Sequence, residues 1–414
     1  MRKIKILVVP SDTVGGVGFY RSFQPHNYLK KYYGNDFEVL YERTPDWKNL
    51  ELLKQFDIIN VHKGLFTDMR SFYDAILALR ETNTVTIMDI DDSWDLSPTH
   101  PQYLLQTKYG LDKIITTNLK LFDYITTTTE YFAKKIYKYN KHVIVLPNAI
   151  DGDDKKFKIN KNKSKLIRVG MVMGSAHEYD VKLIDRFVKK LSPETLDKIQ
   201  IVLCGFDTRG NVRTIDVNTG KIIERPIMPT ETVWHKYEEM LTDNYNILSR
   251  EYKMFLNMYN STIEYPNVEN EHYRRCWTKP VDKYFSHYEN IDILLAPLEM
   301  KEFNYVKSEL KAIECAFSNT ALIASDYGPY HLVLENALNN DYTINPNGNA
   351  ILIDESKNDT DWAKSIELLV NDNNLRKKLQ YNISNLKTVY NLKNITKKRA
   401  AFYQNICQYQ DNND

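Results

Sequence analysis

The feature that most constrains the fold is a rhythm. Short runs rich in β-branched residues alternate with amphipathic segments over nearly the whole chain, which is the pattern of βαβ units wound around a parallel sheet. In the first half these runs are "IKILVVP", "FEVLY", "DIINVHKG", "TVTIMDID", "YITTTT" and "HVIVLPN". The rhythm stops at Ala149, where "AIDGDDKKFKINKNKSK" is charged, aperiodic and reads as a linker. A second series follows: "LIRVGMVM", "IQIVLCGF", "DILLAPL", "ALIASD" and "NAILID". Single hydrophobic cores stop growing at roughly 250–300 residues, so a chain of 414 residues is expected to divide.

The spacing predicts two doubly wound α/β domains in tandem, at residues 1–160 and 161–385. A Trp/Tyr-rich stretch at about 207–288 is expected to be a helical insertion in the second domain. Residues 386–414 are expected to form a C-terminal helix that packs back on the first. No apolar run approaches the ~20 residues of a membrane helix, and "MRKIKILVVP" breaks at Pro10 too early for a signal peptide, so a cytoplasmic location is expected. Cys204, Cys276, Cys315 and Cys407 stand far apart with no ligand spacing, which suggests reduced thiols and neither a zinc site nor a disulfide framework. Residues 1–165 carry 25 basic and 20 acidic side chains, too mild an excess to favour a nucleic-acid partner.

In open α/β sheets ligands sit beyond the carboxyl ends of the strands, so the loops there carry the candidates. After the first strand, "SDTVGGVGFYRSFQP" offers Gly15, Gly16 and Gly18 for close backbone approach, and Arg21 where a helix start could meet an anion. A dinucleotide fingerprint is an alternative, but Arg21 stands where its third glycine belongs. After the fourth strand, "MDIDDSWDLSPTHP" places Asp89 and Asp91 on one side, with Asp92 turned away and His100 further on. These carboxylates suit a divalent cation, sugar hydroxyls or simple capping. In "MGSAHEYD", Gly174 and Ser175 lead into a helix expected near Ala176, with His177 and Asp180 facing one side. In "KEFNYVKSELKAIECAF", Asn304 and Ser308 stand in the loop and cap positions, and Lys307, Lys311 and Glu314 recur as one helical stripe. Lysines near a helix N-terminus oppose its dipole, a cost that a bound diphosphate would reverse, whereas a solvated salt-bridged face is the plainer explanation. "SDYGPYH" adds Gly328 and Pro329.

In order and spacing, "GGVGFYR", "DIDD", "VLPNAID", "GSAHEYD" and "FNYVKSELKAIE" with "ASDYGPY" resemble retaining glycosyltransferases of family 4, in a branch met in gut bacteria and their phages. The resemblance implies the GT-B fold: two Rossmann-like domains, an acceptor held by the first, a nucleotide-diphosphate-sugar donor bound mainly by the second, and a cleft between them. It implies a hexosyltransferase-like enzyme that needs no metal or other cofactor. Glu314 matches the second glutamate of the family's E-x7-E motif, which takes the nucleotide ribose; the first is replaced by Val306. The arginine and lysine that clamp the diphosphate are also missing near Ser175, and Lys307 and Lys311 are expected to supply that charge. Gly15 and Gly16 would approach the donor phosphates, and the carboxylates of "DIDD", Asp91 and Asp92 among them, would orient the acceptor or sugar; His100, read from its loop alone, is a candidate to act on a phosphate or an acceptor. The departing phosphate would take the acceptor's proton on the same face. The competing readings are a catalytically silent binding protein of this fold and a phage enzyme that glycosylates modified DNA bases.

Overall fold

A computed structural model describes residues 2–215, 219, 221–258, 263–339, 341–354, 356 and 358–411. Its contacts divide the chain into two units. The first comprises Met1–Phe157, Met300–Glu314 and Asn385–Asp414; the second comprises Lys158–Glu299 and Cys315–Ser384. Met300–Glu314 therefore counts with the first unit, although the sequence reading had placed it within 161–385.

The first unit is built on β1 (Ile4–Val9), β2 (Phe37–Tyr41), β3 (Ile58–His62), β4 (Val85–Asp89), β5 (Tyr124–Thr127) and β6 (Val143–Val145). They form one sheet in the order β2-β1-β3-β4-β5-β6, parallel throughout. Both faces are covered, and every residue of β3 and β4 is buried, as expected of parallel sheets. Alternation along β1 divides its side chains between two cores. Leu7 and Val9 join Phe72, Met88, Ile125 and Phe132 on one face, while Ile6 and Val8 meet Ile58, Ile87, Ala400, Tyr403 and Ile406 on the other. The last three belong to the helix Leu392–Asp411, so the end of the chain completes the core begun by its first strand. Backbone bonds between Ile150 and both Tyr390 and Leu392 (3.1 and 3.0 Å) fix where that helix begins.

In the second unit, β7 (Ile167–Val172), β8 (Ile199–Phe206), β11 (Tyr273–Trp277), β12 (Ile293–Ala296), β13 (Ala321–Ser325) and β14 (Ile351–Ile353) form a parallel sheet in the order β11-β8-β7-β12-β13-β14. The insertion is not wholly helical as expected. It holds an antiparallel ribbon of β9 (Asn211–Ile215) and β10 (Ile222–Pro226), the helices Val233–Thr242 and Arg250–Met258, and the edge strand β11. Two arginines hide β11 from an apolar pattern. Arg275 is buried against Glu238 at 2.6 Å with its guanidinium 4.0 Å above the Phe206 ring, and Arg274 pairs with Glu264 and Glu269.

Candidate functional site

The chain runs from β1 to β2 on one side of the first sheet and returns to β3 on the other, so the loops after β1 and β3 part at this point and leave a crevice. Asp12 shapes the first loop. Its carboxylate accepts the N–H groups of Val14 (2.9 Å), Gly15 and Gly18 (2.8 Å). A Cβ on Gly18 would lie 2.2 Å from the Asp12 carbonyl oxygen, so only glycine fits there, whereas one on Gly16 would meet nothing within 4 Å. The fold therefore needs Gly18 and leaves Gly16 as bare backbone.

Arg21 does not face a ligand as expected. It lies in the π-helical turn Gly18–Phe23 and is 1% exposed. Its guanidinium grips Asp89 through two bonds (2.9 and 2.7 Å) and donates to the Leu146 carbonyl and the Asn148 side chain. Thr126 donates a further 2.6 Å bond to Asp89. Polar groups from the end of β4, from β5 and from the segments after β1 and β6 thus close on one another.

The residues gathered in the crevice include some that sequence reasoning missed. His62, the last residue of β3, has Nδ1 2.7 Å from the hydroxyl of Ser11 and Nε2 3.0 Å from Asp91. Lys63 reaches Asp91 at 3.0 Å and Asp92 at 3.4 Å. Its backbone is left-handed (φ 59°), a strained state for a side-chain-bearing residue, and Asn118 holds the turn by donating to the carbonyls of Lys63 and Gly64. Burial pushes the Asp91 carboxyl up, but Lys63 and His62 outweigh it and hold Asp91 well below the usual carboxylate range. Asp91 and Asp92 are thus joined by His62 and Lys63. His100 sits elsewhere on its loop, with its ring 4.8 Å from Phe303 and Nδ1 accepting from the Gln102 N–H.

The expected stripe of Lys307, Lys311 and Glu314 is broken. One helix covers Glu302–Tyr305 and the next begins at Leu310, so Lys307 and Ser308 lie between them. Lys307 stands 5.0 Å over the Phe303 ring, while Lys311 pairs with the buried Glu314 at 2.8 Å. Ser308 accepts from Asn148 at 2.9 Å, Asn304 is buried, and Val306 packs into the apolar core of the unit. A glutamate at position 306 would enter that core. Glu309 is the unforeseen carboxyl: it is 2% exposed, its Oε2 has no hydrogen-bond partner among the described residues, and burial pushes it up to about 7. A Tyr390 bond and the nearby Arg21 only partly oppose that rise.

In the second unit the equivalent parting lies between β7 and β12. The helix expected from Ala176 begins at Glu178 and is a single turn, Glu178–Val181. Its start is occupied, because the His177 N–H donates to the Tyr237 hydroxyl (3.0 Å), which itself donates to the Ser175 carbonyl (3.0 Å). Gly174 and Ser175 are exposed on the loop. His177 Nδ1 lies 2.7 Å from Asp180, whose other oxygen accepts the Glu299 N–H at 2.7 Å. The Leu298 N–H donates to Ser325 at 2.8 Å, so the segment after β7, the loop after β12 and the end of β13 are tied in sequence. Gly328 (φ 53°, ψ −121°) turns the last of them into the helix Pro329–Val333. Among the described residues no group of three or more His, Cys, Asp or Glu side chains is placed to hold a metal ion, and no helix is long and apolar enough to cross a membrane.

No family profile and no curated protein matches the sequence. Solved structures do match. Anabaena HepE in complex with UDP and glucose aligns over 97% of this chain and 100% of its own, with a TM-score of 0.57 and 10% identity. A UDP-forming α,α-trehalose-phosphate synthase from Burkholderia xenovorans aligns over 98% and 99%, with a TM-score of 0.55 and 12% identity. The pneumococcal O-GlcNAc transferase GtfA in complex with UDP and GlcNAc aligns over 87% of this chain and 58% of its own, with a TM-score of 0.51 and 12% identity. At such identities the likeness is one of architecture: the chain has the two-domain, Rossmann-like GT-B fold.

Proposed function

We propose that the protein is a glycosyltransferase that moves a sugar from a nucleotide-diphosphate-sugar donor to a hydroxyl group of a glycan or similar acceptor. One observation carries this reading: the fold is shared end to end with Anabaena HepE, whose structure holds UDP and glucose. The switch-point loops of the second unit, with Gly174, Ser175, His177, Asp180, Gly328 and Pro329, are the donor side of this proposal. Glu314 takes the nucleotide ribose, since a carboxylate can accept both hydroxyls of a vicinal diol. Lys307 and Lys311 stabilise the negative charge that grows on the departing diphosphate, the stage at which a pre-placed cation contributes most. Retention of anomeric configuration and kinship to family 4 with its gut-bacterial or phage branch go with the motif order described above, and a cytoplasmic location is part of the same proposal.

The test is a melting-temperature screen against UDP, GDP, CMP and their sugars, followed by turnover with those that bind. A ligand at 100 times its Kd stabilises the folded state by about 2.7 kcal/mol. The expected result is a clear upward shift with one nucleotide class, and loss of turnover without loss of folding in Lys307→Ala, whose side chain lies over the Phe303 ring. No shift with any nucleotide, or full turnover in Lys307→Ala, would overturn the reading.

A further inference from the structure

Cys204 and Cys276, far apart in the chain, are neighbours in the second sheet. Cys204 on β8 and Cys276 on β11 stand directly opposite each other in the parallel ladder, with the insertion between them in sequence. Opposed residues of neighbouring strands project from the same face, and their Cα atoms lie roughly 5 Å apart, inside the span of about 4.4–6.8 Å that a disulfide bridges. The preceding pair, Leu203 and Arg275, turns to the other face, where Leu203 joins the core and Arg275 lies over Phe206. Both cysteines are free thiols, Cys204 fully buried and Cys276 half-buried. The ladder gives way immediately after them. Trp277 pairs with Phe206, so Gly205 is left over, at a φ of 109° that favours glycine. This bulge releases the pair from the strict spacing of a regular parallel ladder. The two thiols are also chemically unequal. A hydrogen bond from Cys204, with Arg274 and Lys279 nearby, holds the Cys276 thiol below its ordinary range against burial and Glu264, whereas burial pushes the Cys204 thiol up. Such a pair supplies an attacking sulfur and, beside it, a resolving one.

We propose that Cys204 and Cys276 are a modification site: on meeting a low-molecular-weight disulfide such as oxidised glutathione they form a reversible disulfide that staples the insertion at its root. In the first step the Cys276 sulfur attacks one sulfur of the glutathione disulfide. That S–S bond breaks, a mixed disulfide forms on Cys276, and one glutathione leaves as a thiolate that takes up the proton lost by Cys276. The Cys204 sulfur then gives up its proton and attacks the Cys276 sulfur, and the second glutathione leaves with that proton. Two protein thiols are thereby oxidised by two electrons, and one glutathione disulfide is reduced to two thiols. The new bond joins the strands at which the insertion leaves and re-enters the sheet, since the ribbon of β9 and β10 and the helices Val233–Thr242 and Arg250–Met258 all lie between the two cysteines. The edge strand β11 pairs with the sheet through β8 alone, so the link holds covalently what the ladder holds by hydrogen bonds. Oxidation of the pair does not depend on whether the protein transfers sugar.

The full chain, fully reduced and then titrated with oxidised glutathione under native conditions, tests the site. The expected product has an intact mass lower by about 2 Da, an unreduced peptide map that joins the Cys204 and Cys276 peptides, and full reversal by dithiothreitol. Cys276→Ala, a change at the half-buried position, should form no link. Cys204→Ala should stop at the mixed disulfide, with glutathione trapped on Cys276. Closing a long loop restricts the unfolded chain, so the oxidised wild type should melt roughly 5 °C or more above the reduced form, a difference absent from Cys276→Ala. A wild type that stays reduced, that keeps glutathione on Cys276, that links only after unfolding, or that links through Cys315 or Cys407 would overturn the proposal. Equal melting of the linked and reduced wild type would overturn the staple.

Discussion

Two charged side chains that meet around Asn148 and Ser308 are buried on very different terms. Arg21 has a carboxylate on its fork and a carbonyl and an amide on its remaining donors, so its burial is compensated. Breaking such a pair from one side strands the other charge, at about 3–5 kcal/mol. Arg21→Met and Asp89→Asn should each lower the unfolding free energy, read by chemical denaturation, by about 3–5 kcal/mol, and a change under about 1 kcal/mol would mean that the pair is solvated. Glu309 lacks such compensation. Burial raises its folded-state pKa from 4.5 to about 7, so its contribution to stability is fully present below about 4.5 and is lost as pH rises through about 7. The wild type should therefore lose on the order of 3 kcal/mol relative to Glu309→Gln between pH 4 and pH 8, as read by chemical denaturation at each pH. A constant difference across that window would refute the assignment. At this scale the sequence was least informative. "GFYR" shows a cation after a glycine loop but cannot show that Asp89 closes over it, because the partner lies 68 positions away. His62 ends an otherwise apolar run in "DIINVHKG". It becomes visible only when one asks which polar residues end adjacent strands, a question that needs the strand order.

Among the elements, the glycine loop separates what folding requires from what binding could use. Gly18→Ala places a methyl group against the Asp12 carbonyl and should cost about 1–3 kcal/mol, as overpacking does. Gly16→Ala meets open space and should melt within about 0.5 kcal/mol of the wild type. If Gly16→Ala then weakens nucleotide-sugar turnover, its bare backbone serves the ligand; equal melting loss in the two variants would refute the division. The strands of both sheets were legible wherever apolar side chains fill both faces, as in "IKILVV" and "ALIAS". They were not legible in "YRRCW", where Glu238 and the Phe206 ring neutralise and cover the arginine. The break in "KEFNYVKSELKAIE" was equally hidden. Helical periodicity continues through it, and the chain leaves the helix at Lys307–Glu309 where Ser308 bonds to Asn148 and Glu309 is buried.

For the molecule as a whole, the doubly wound pattern was readable from rhythm and length, but the composition of the first unit was not. That unit is assembled from three separated stretches, because Ala400, Tyr403 and Ile406 seal the face that Ile6, Val8, Ile58 and Ile87 present. Truncation after Tyr390 should abolish the cooperative melt of the first unit and expose dye-binding apolar surface. A truncated chain that melts as the wild type does would show the helix to be peripheral. The same feature sets an order of events during synthesis. A ribosome adds about 5–20 residues per second, so the first strand must wait roughly 20–80 s for the helix that covers it. The second unit is complete in sequence at Ser384, before any of that helix has been made. Although it begins first, the amino-terminal half is the last to mature, and during that interval its open sheet is the surface a chaperone would hold.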